Sequence, residues 1–188
     1  MHLEGDTPVV TLRDTSAYSA GTGSYIQFQG KDSGGTNVNF GQIHGLSLTS
    51  NNGVLAFYTR SGGTTAERVR ITDVGRVGIG ETAPLGTLHV RTSDASITSV
   101  NANSDDLIIE NNGNCGISIA SSTTGEGMIC FIDSGDTNIG RIQYQHNIND
   151  MNFRVNDAER LRITSSGNVG IGTSSPDTNL DVEGAGDC

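Results

Sequence analysis

The sequence predicts an all-β chain built as a tandem repeat, and three observations carry that prediction. Residues 158–182 (AERLRITSSGNVGIGTSSPDTNLDV) have a near copy at residues 66–90 (AERVRITDVGRVGIGETAPLGTLHV), in register without a gap at an offset of 92 (158 on 66, 182 on 90). Apolar residues recur at period two in short runs, and no window has helical periodicity. Clusters of Gly, Asn, Asp and Ser separate those runs, as turns require. A shared pattern this long sets the architecture before any local reading.

Met1-His2-Leu3-Glu4-Gly5 matches Leu88-His89-Val90 and Leu180-Asp181-Val182-Glu183-Gly184, so the chain opens and closes at one phase of its repeat. The units are read as 1–87 and 88–179, with 180–188 the start of a third unit or a C-terminal stub. A segment of a longer array fits this phase, as does a small protein whose ends pair with other modules.

In the first unit, Pro8–Leu12 is a short apolar strand and Tyr25–Phe28 a half-buried one. The chain turns at Lys31–Asn37 and returns through Val38, Phe40 and Ile43. Leu46–Leu48 and Leu55–Tyr58 follow, on either side of the turn Asn51-Asn52-Gly53. The second unit repeats the scheme. Leu107–Ile109 and Ile117–Ile119 flank Asn111–Asn114, Met128–Ile132 leads into Asp133–Asn138, Ile139 and Ile142 return, and Met151–Val155 precedes the signature.

Composition limits what such a chain can do. Hydrophobic residues make up 34%, Trp is absent and Gly numbers 26. That is thin for a wide private core, whereas the frequent, patterned β-branched residues argue against disorder. The expected solution is a thin β chain that completes its core against other subunits. A formal charge of −10 argues against nucleic acid or an anionic membrane surface as partner, since both call for clustered Lys and Arg. No signal peptide or run of transmembrane length is present, so no membrane insertion is expected. Cys115, Cys130 and Cys188 form no spaced disulfide framework, which fits folding in a reducing cytoplasm. Cys130, in an apolar run, reads as a small buried residue, and Cys188 as a free thiol.

Within the signature, Leu161 and Ile163 face one side and Arg160 and Arg162 the other, as do Val69 and Ile71 against Arg68 and Arg70. Glu67 and Glu159 are placed to pair with those arginines. Gly75 and Gly167 occupy turn positions that call for positive φ. In the Val-Gly-Ile-Gly segments, Val77 and Ile79, like Val169 and Ile171, share a face opposite Gly78 and Gly80, or Gly170 and Gly172. A strand glycine weakens the strand unless another backbone approaches closely. The bare face in both copies therefore predicts tight packing against a neighbouring chain. Gly78-Ile79-Gly80-Glu81-Thr82-Ala83 formally fits a dinucleotide fingerprint, but Pro84 and Gly86 replace the helix that fingerprint needs.

At these residues the chain resembles a repeat widespread in bacteriophage tail-fibre and related virion fibre proteins, often found upstream of an endosialidase-type intramolecular chaperone. The resemblance covers 66–90 and 158–182. It implies an elongated, intertwined homotrimeric β fibre, carried in the virion after synthesis in the host cytoplasm and contacting other tail or capsid proteins. Leu161, Ile163, Val169, Gly170, Ile171, Gly172, Val69, Ile71, Val77, Gly78, Ile79 and Gly80 are then the trimer-packing residues. The chaperone's helical part and its Ser/Lys pair are absent from this sequence, so self-cleavage does not carry over.

No catalytic residue, cofactor or metal is expected. Asp133–Asn138 has the oxygen ligands of a Ca²⁺ loop, yet the same residues are ordinary turn chemistry, and Gly35 replaces Asp136 in the first copy. His2 and His89 could ring a threefold axis as metal ligands, but Asp181 stands in the third copy, and a surface or packing role is the alternative. Asp105 and Asp106 form a possible glycosidase pair without an aromatic platform. The expected function is a structural tail-fibre segment serving host attachment. A head-fibre or capsid-decoration protein is one alternative. A carbohydrate-binding adhesin using loops near 13–24, 29–37 and 120–127 is another, with a host cell-surface glycan or protein as partner.

Overall fold

The computed structural model describes residues 11–15, 19–49 and 51–184, and among these the fold is all-β, without a helix. The chain divides into two compact units, Met1–Gly116 and Ile117–Cys188. The sequence repeat is phased at 87/88, whereas this division falls at 116/117, because Leu88–Arg91 and Leu107–Glu110 both extend the first sheet.

The first unit holds one seven-stranded sheet in sequence order: β1 (Tyr25–Lys31), β2 (Asn37–Ser47), β3 (Gly53–Ser61), β4 (Thr64–Ile71), β5 (Val77–Ile79), β6 (Leu88–Arg91) and β7 (Leu107–Glu110). Strands β1 to β5 pair antiparallel, and the β5–β6 and β6–β7 pairs are parallel. The second unit repeats this without a counterpart of β7 among the described residues. Its strands are β8 (Glu126–Phe131), β9 (Gly140–Gln145), β10 (Asp150–Val155), β11 (Ala158–Ile163), β12 (Val169–Ile171) and β13 (Leu180–Val182), with β12–β13 the parallel pair.

Several expectations change. Leu46 and Ser47 belong to the long strand β2 rather than to a separate one. Pro8–Val10 lie outside the described residues, and Thr11 and Leu12 are not strand. Ile117–Ile119 is an exposed, irregular stretch with no strand partner. Cys130 is exposed rather than buried, because it lies on the outermost strand β8, at the sheet edge where no further strand packs. Irregular chain, not a helix, follows Gly80, which removes the dinucleotide reading.

The signature encodes the same backbone devices twice. The β3–β4 register slips so that Phe57 opposes Val69 and Tyr58 opposes Glu67, leaving Arg68 as an extra, bulged residue. The β10–β11 register slips identically around Arg160. The bulged carbonyls are then captured: Gly80 N–H donates to Arg68 O at 2.8 Å and Gly172 N–H to Arg160 O at 3.0 Å. The turns from β4 to β5 and from β11 to β12 are fixed by Thr72 and Thr164, whose Oγ1 atoms accept from the Arg76 and Asn168 amides. Gly75 and Gly167 close it at φ 82° and 88°, as the sequence predicted.

Candidate assembly face

Strand alternation and register together sort the side chains onto two unlike faces. On one face of the first sheet, a single row runs through every strand: Ile26, Ile43, Phe57, Val69, Ile79, Val90 and Ile109. Beside it lie Leu55, Ile71, Val77, Leu88 and Leu107. The second sheet carries the matching row Ile129, Ile142, Phe153, Leu161, Ile171 and Val182, flanked by Tyr144, Met151, Ile163, Val169 and Leu180. All eight apolar residues assigned to packing from the sequence lie in these rows.

This apolar face is the open one. Ile79 and Ile171, at equivalent positions, are each 41% exposed, and Val182 at the edge of its sheet is 62% exposed. The opposite face is closed over and largely polar. Its middle row reads Tyr25, His44, Ala56, Arg70, Gly78, His89 and Ile108 in the first sheet, and Met128, Gln143, Asn152, Arg162, Gly170 and Asp181 in the second. The largest fully buried side chains, His89 and Gln143, both belong to it. Its apolar core is the small cluster Leu46, Val54 and Ala56, with Tyr58 packed against it.

The four signature glycines have a cause within the chain. A Cβ on Gly78 would stand 2.1 Å from Glu81 O, and one on Gly170 would stand 2.5 Å from Thr173 O, because the following turn folds down over the closed face. Gly80 and Gly172 lie past the strand end at φ 72° and 78°, where an added Cβ would meet Arg91 O at 2.2 Å and Glu183 O at 2.1 Å. The close backbone neighbour that the sequence pointed to is a carbonyl of the same chain.

The bulge also arranges the ion pairs. In a regular strand, residues three apart face opposite sides; the extra residue brings Glu67 onto the face of Arg70, and Glu159 onto that of Arg162. Both pairs are bidentate, at 2.7 and 2.8 Å and at 2.7 and 2.7 Å. Burial would raise the Glu67 carboxyl, but hydrogen bonds from Arg70 and Tyr58 outweigh it and hold the group below its ordinary value. The Arg162 guanidinium is raised, first by its bonds to Glu159 and further by Asp150, which it meets at 2.7 Å. Burial lowers His44, which stacks on Tyr25 and meets the Tyr58 ring at a tilt, against an opposing pull from Glu67.

The other candidate residues resolve as follows. Asp133 Oδ1 accepts from the Gly135 and Asp136 amides, and Asp32 Oδ1 from Gly34 and Thr36, so both loops are Asx-type turns. Asp105 and Asp106 offer their backbone carbonyls to Thr87 and Leu88. His2 is outside the described residues. His89 is not a surface residue: at 1% exposure it points into its own unit, with Nε2 2.9 Å from Glu110 Oε2. Sequence reasoning missed Glu110 and Glu81, which surround that histidine. The only available signal was the departure of the first copy from the second at Glu81/Thr173, His89/Asp181 and Arg91/Glu183. No protein-family model matches the chain, and no curated protein matches it either.

Proposed function

We propose that this chain is a structural fibre module, three copies of which associate through their apolar sheet faces as a segment of a bacteriophage tail fibre serving host attachment. The observation that carries the reading is the continuous apolar row crossing every strand of each sheet and open to solvent in the single chain. Isolated exposed apolar residues are ordinary, whereas contiguous apolar faces on soluble chains serve interaction. Completing the burial of each half-exposed Ile, Val or Phe contributes on the order of 1 kcal/mol. The two rows together then give about 10 kcal/mol per chain, comparable to the roughly 4–15 kcal/mol that association costs. The flanking residues Leu55, Ile71, Met151 and Ile163 supply the surplus. Closed rotational symmetry lets identical faces meet as one core without leaving an apolar edge, and the resemblance of the signature to virion fibre repeats sets the number at three. The role is that of a building element, without catalysis.

Sedimentation equilibrium of the full chain tests this directly. A trimer is expected, and Ile79→Glu with Ile171→Glu, one charge in each row, should give monomers that keep their far-ultraviolet β signal. A stable monomer of the unaltered chain overturns the reading.

A further inference from the structure

We propose that Glu81, His89 and Glu110 form a binding site for a divalent transition-metal ion in the first unit. The site is independent of the fibre reading and contrary to the expectation of no metal. The three side chains come from the turn after β5, from β6 and from β7, and all are buried. Their donor atoms lie within 4.8 Å of one another. A cavity of about 310 Å³ opens onto them, lined also by Arg91, Asp94 and Ser96.

Charge is out of balance at this cavity. The two buried carboxylates, Glu81 and Glu110, face a single guanidinium, Arg91, which lies 2.6 Å from Glu81 and 3.8 Å from the exposed Asp94. Uncompensated charge in a buried setting is costly, and a doubly charged cation removes the excess. One imidazole with two carboxylates is the donor set of a borderline ion such as Zn²⁺, since Ca²⁺ and Mg²⁺ take oxygen shells.

The ligands are held in place and keep coordinating capacity. Glu81 Oε1 accepts from the Ala83 amide and Oε2 from Arg91. Glu110 Oε1 accepts from the Ala95 amide at 2.6 Å, and Oε2 from His89 Nε2. Each oxygen thus uses one lone pair and retains another, while the donors orient the carboxylates as outer partners do around metal ligands. Coordination through His89 Nε2 transfers the imidazole proton to Nδ1. That step gives up two bonds: the 2.9 Å bond to Glu110 Oε2, where the ion takes the place of the proton, and the long 3.4 Å bond from the Leu85 amide.

The second copy shows that the fold does not require these residue types. Thr173 Oγ1 accepts from the Ser175 amide at 3.2 Å, as Glu81 does from Ala83. Asp181 Oδ2 accepts from the Asp177 amide at 3.1 Å, as His89 does from Leu85. Threonine and aspartate hold the same turn, so turn-capping explains neither the glutamate nor the histidine.

The test is a Zn²⁺ titration of the full chain after chelation. One ion per chain is expected, with the melting temperature raised by roughly 5–10 °C at a hundredfold excess over Kd. Co²⁺ in the same site should give ligand-field bands without thiolate charge transfer, and X-ray absorption a nitrogen and oxygen shell containing one imidazole. Glu110→Gln, close in shape, should lose both responses, and Asp181→Asn in the other copy should keep both. An unchanged melting temperature, a Glu110→Gln chain that responds like the unaltered one, or a thiolate band from the exposed Cys115 or Cys130 each overturns the proposal. If Glu110→Gln does not fold, the cobalt spectrum of the unaltered chain decides.

Discussion

The two units share every backbone device of the signature and differ in what they bury beneath it. At equivalent places on the closed face, Val54, Ala56 and His44 of the first unit stand against Asp150, Asn152 and Gln143 of the second. Val54 and Ala56 form a small apolar core. Asp150 instead accepts from Arg162 at 2.7 Å and from the Ser165 amide at 2.9 Å. Arg70, with no such carboxylate beside it, reaches the Thr82 carbonyl at 2.8 Å. The bulge, the captured carbonyl and the positive-φ glycine set the path of the chain, and the closed face accepts either chemistry. The open apolar face, by contrast, is preserved nearly residue for residue.

The largest effects should come from the shared devices and should be equal in the two copies. Gly80→Ala and Gly172→Ala each force a Cβ against a carbonyl at a φ that disfavours it, at a cost of about 3 kcal/mol in denaturant unfolding. A tolerated substitution in one copy alone would show that the common geometry is not a common requirement.

The arginines come next, and here the copies should differ. Arg162→Met strands two carboxylates, Glu159 and Asp150, and should cost about 3 kcal/mol; Arg70→Met strands only Glu67 and should cost about 2 kcal/mol. Because the Glu67 carboxyl is held below its ordinary value, its contribution is complete above about pH 4.3 and fades as the pH falls through the lower folded value. Arg70→Met should flatten that acid limb, as followed by unfolding at stepped pH. An unchanged slope would mean that Glu67 does not carry it.

A smaller effect, of opposite sign, tests the buried chemistry. Gln143 is 1% exposed with both ends of its amide unpartnered in the protein, and Asn152 Oδ1 beside it is likewise unpartnered. An unsatisfied buried amide costs about 1–3 kcal/mol. Gln143→Met should therefore raise the melting temperature of the second unit by a gain of about 1 kcal/mol, moving it toward the apolar interior of the first. A loss instead would mean that the amide is satisfied by bound water.

Much of this was legible in the sequence, and what was not has a physical reason. Short strands, turns at Gly75 and Gly167 and the apolar rows follow from period-two alternation and glycine chemistry, and both signature copies gave the same answer. The bulges at Arg68 and Arg160 were hidden, because inserting one residue into a register leaves the local alternation intact. The pairing of Glu67 and Glu159 with arginines is legible and holds, but alternation alone does not show that the partner is the arginine three residues on, and it puts Arg160 and Arg162 on one face. Gly80 and Gly172 were read as strand residues because positive φ leaves no mark besides the glycine itself. His89 and Glu110 are 21 positions apart, and only the parallel pairing of β6 with β7 brings them together. Cys130 was misread because an apolar run does not reveal which strand ends a sheet.

The smallest predicted effect separates the two arginines of one motif most sharply. Arg160 lies two positions before Arg162, but the fold uses its main chain: the carbonyl takes the Gly172 amide, while the exposed side chain makes only a 3.3 Å bond to Val155 O. Arg68 is placed alike, its side chain reaching Thr59 Oγ1 at 3.0 Å. Truncating an exposed side chain away from a buried network shifts stability by about 0.5 kcal/mol or less. Arg160→Ala and Arg68→Ala should therefore unfold at nearly the unaltered denaturant midpoint, whereas Arg162→Met does not. If instead Arg160→Ala leaves unfolding unchanged but weakens self-association, the side chain belongs to the contact between copies. The near-identity of the motif would then record an interface as well as a bulge.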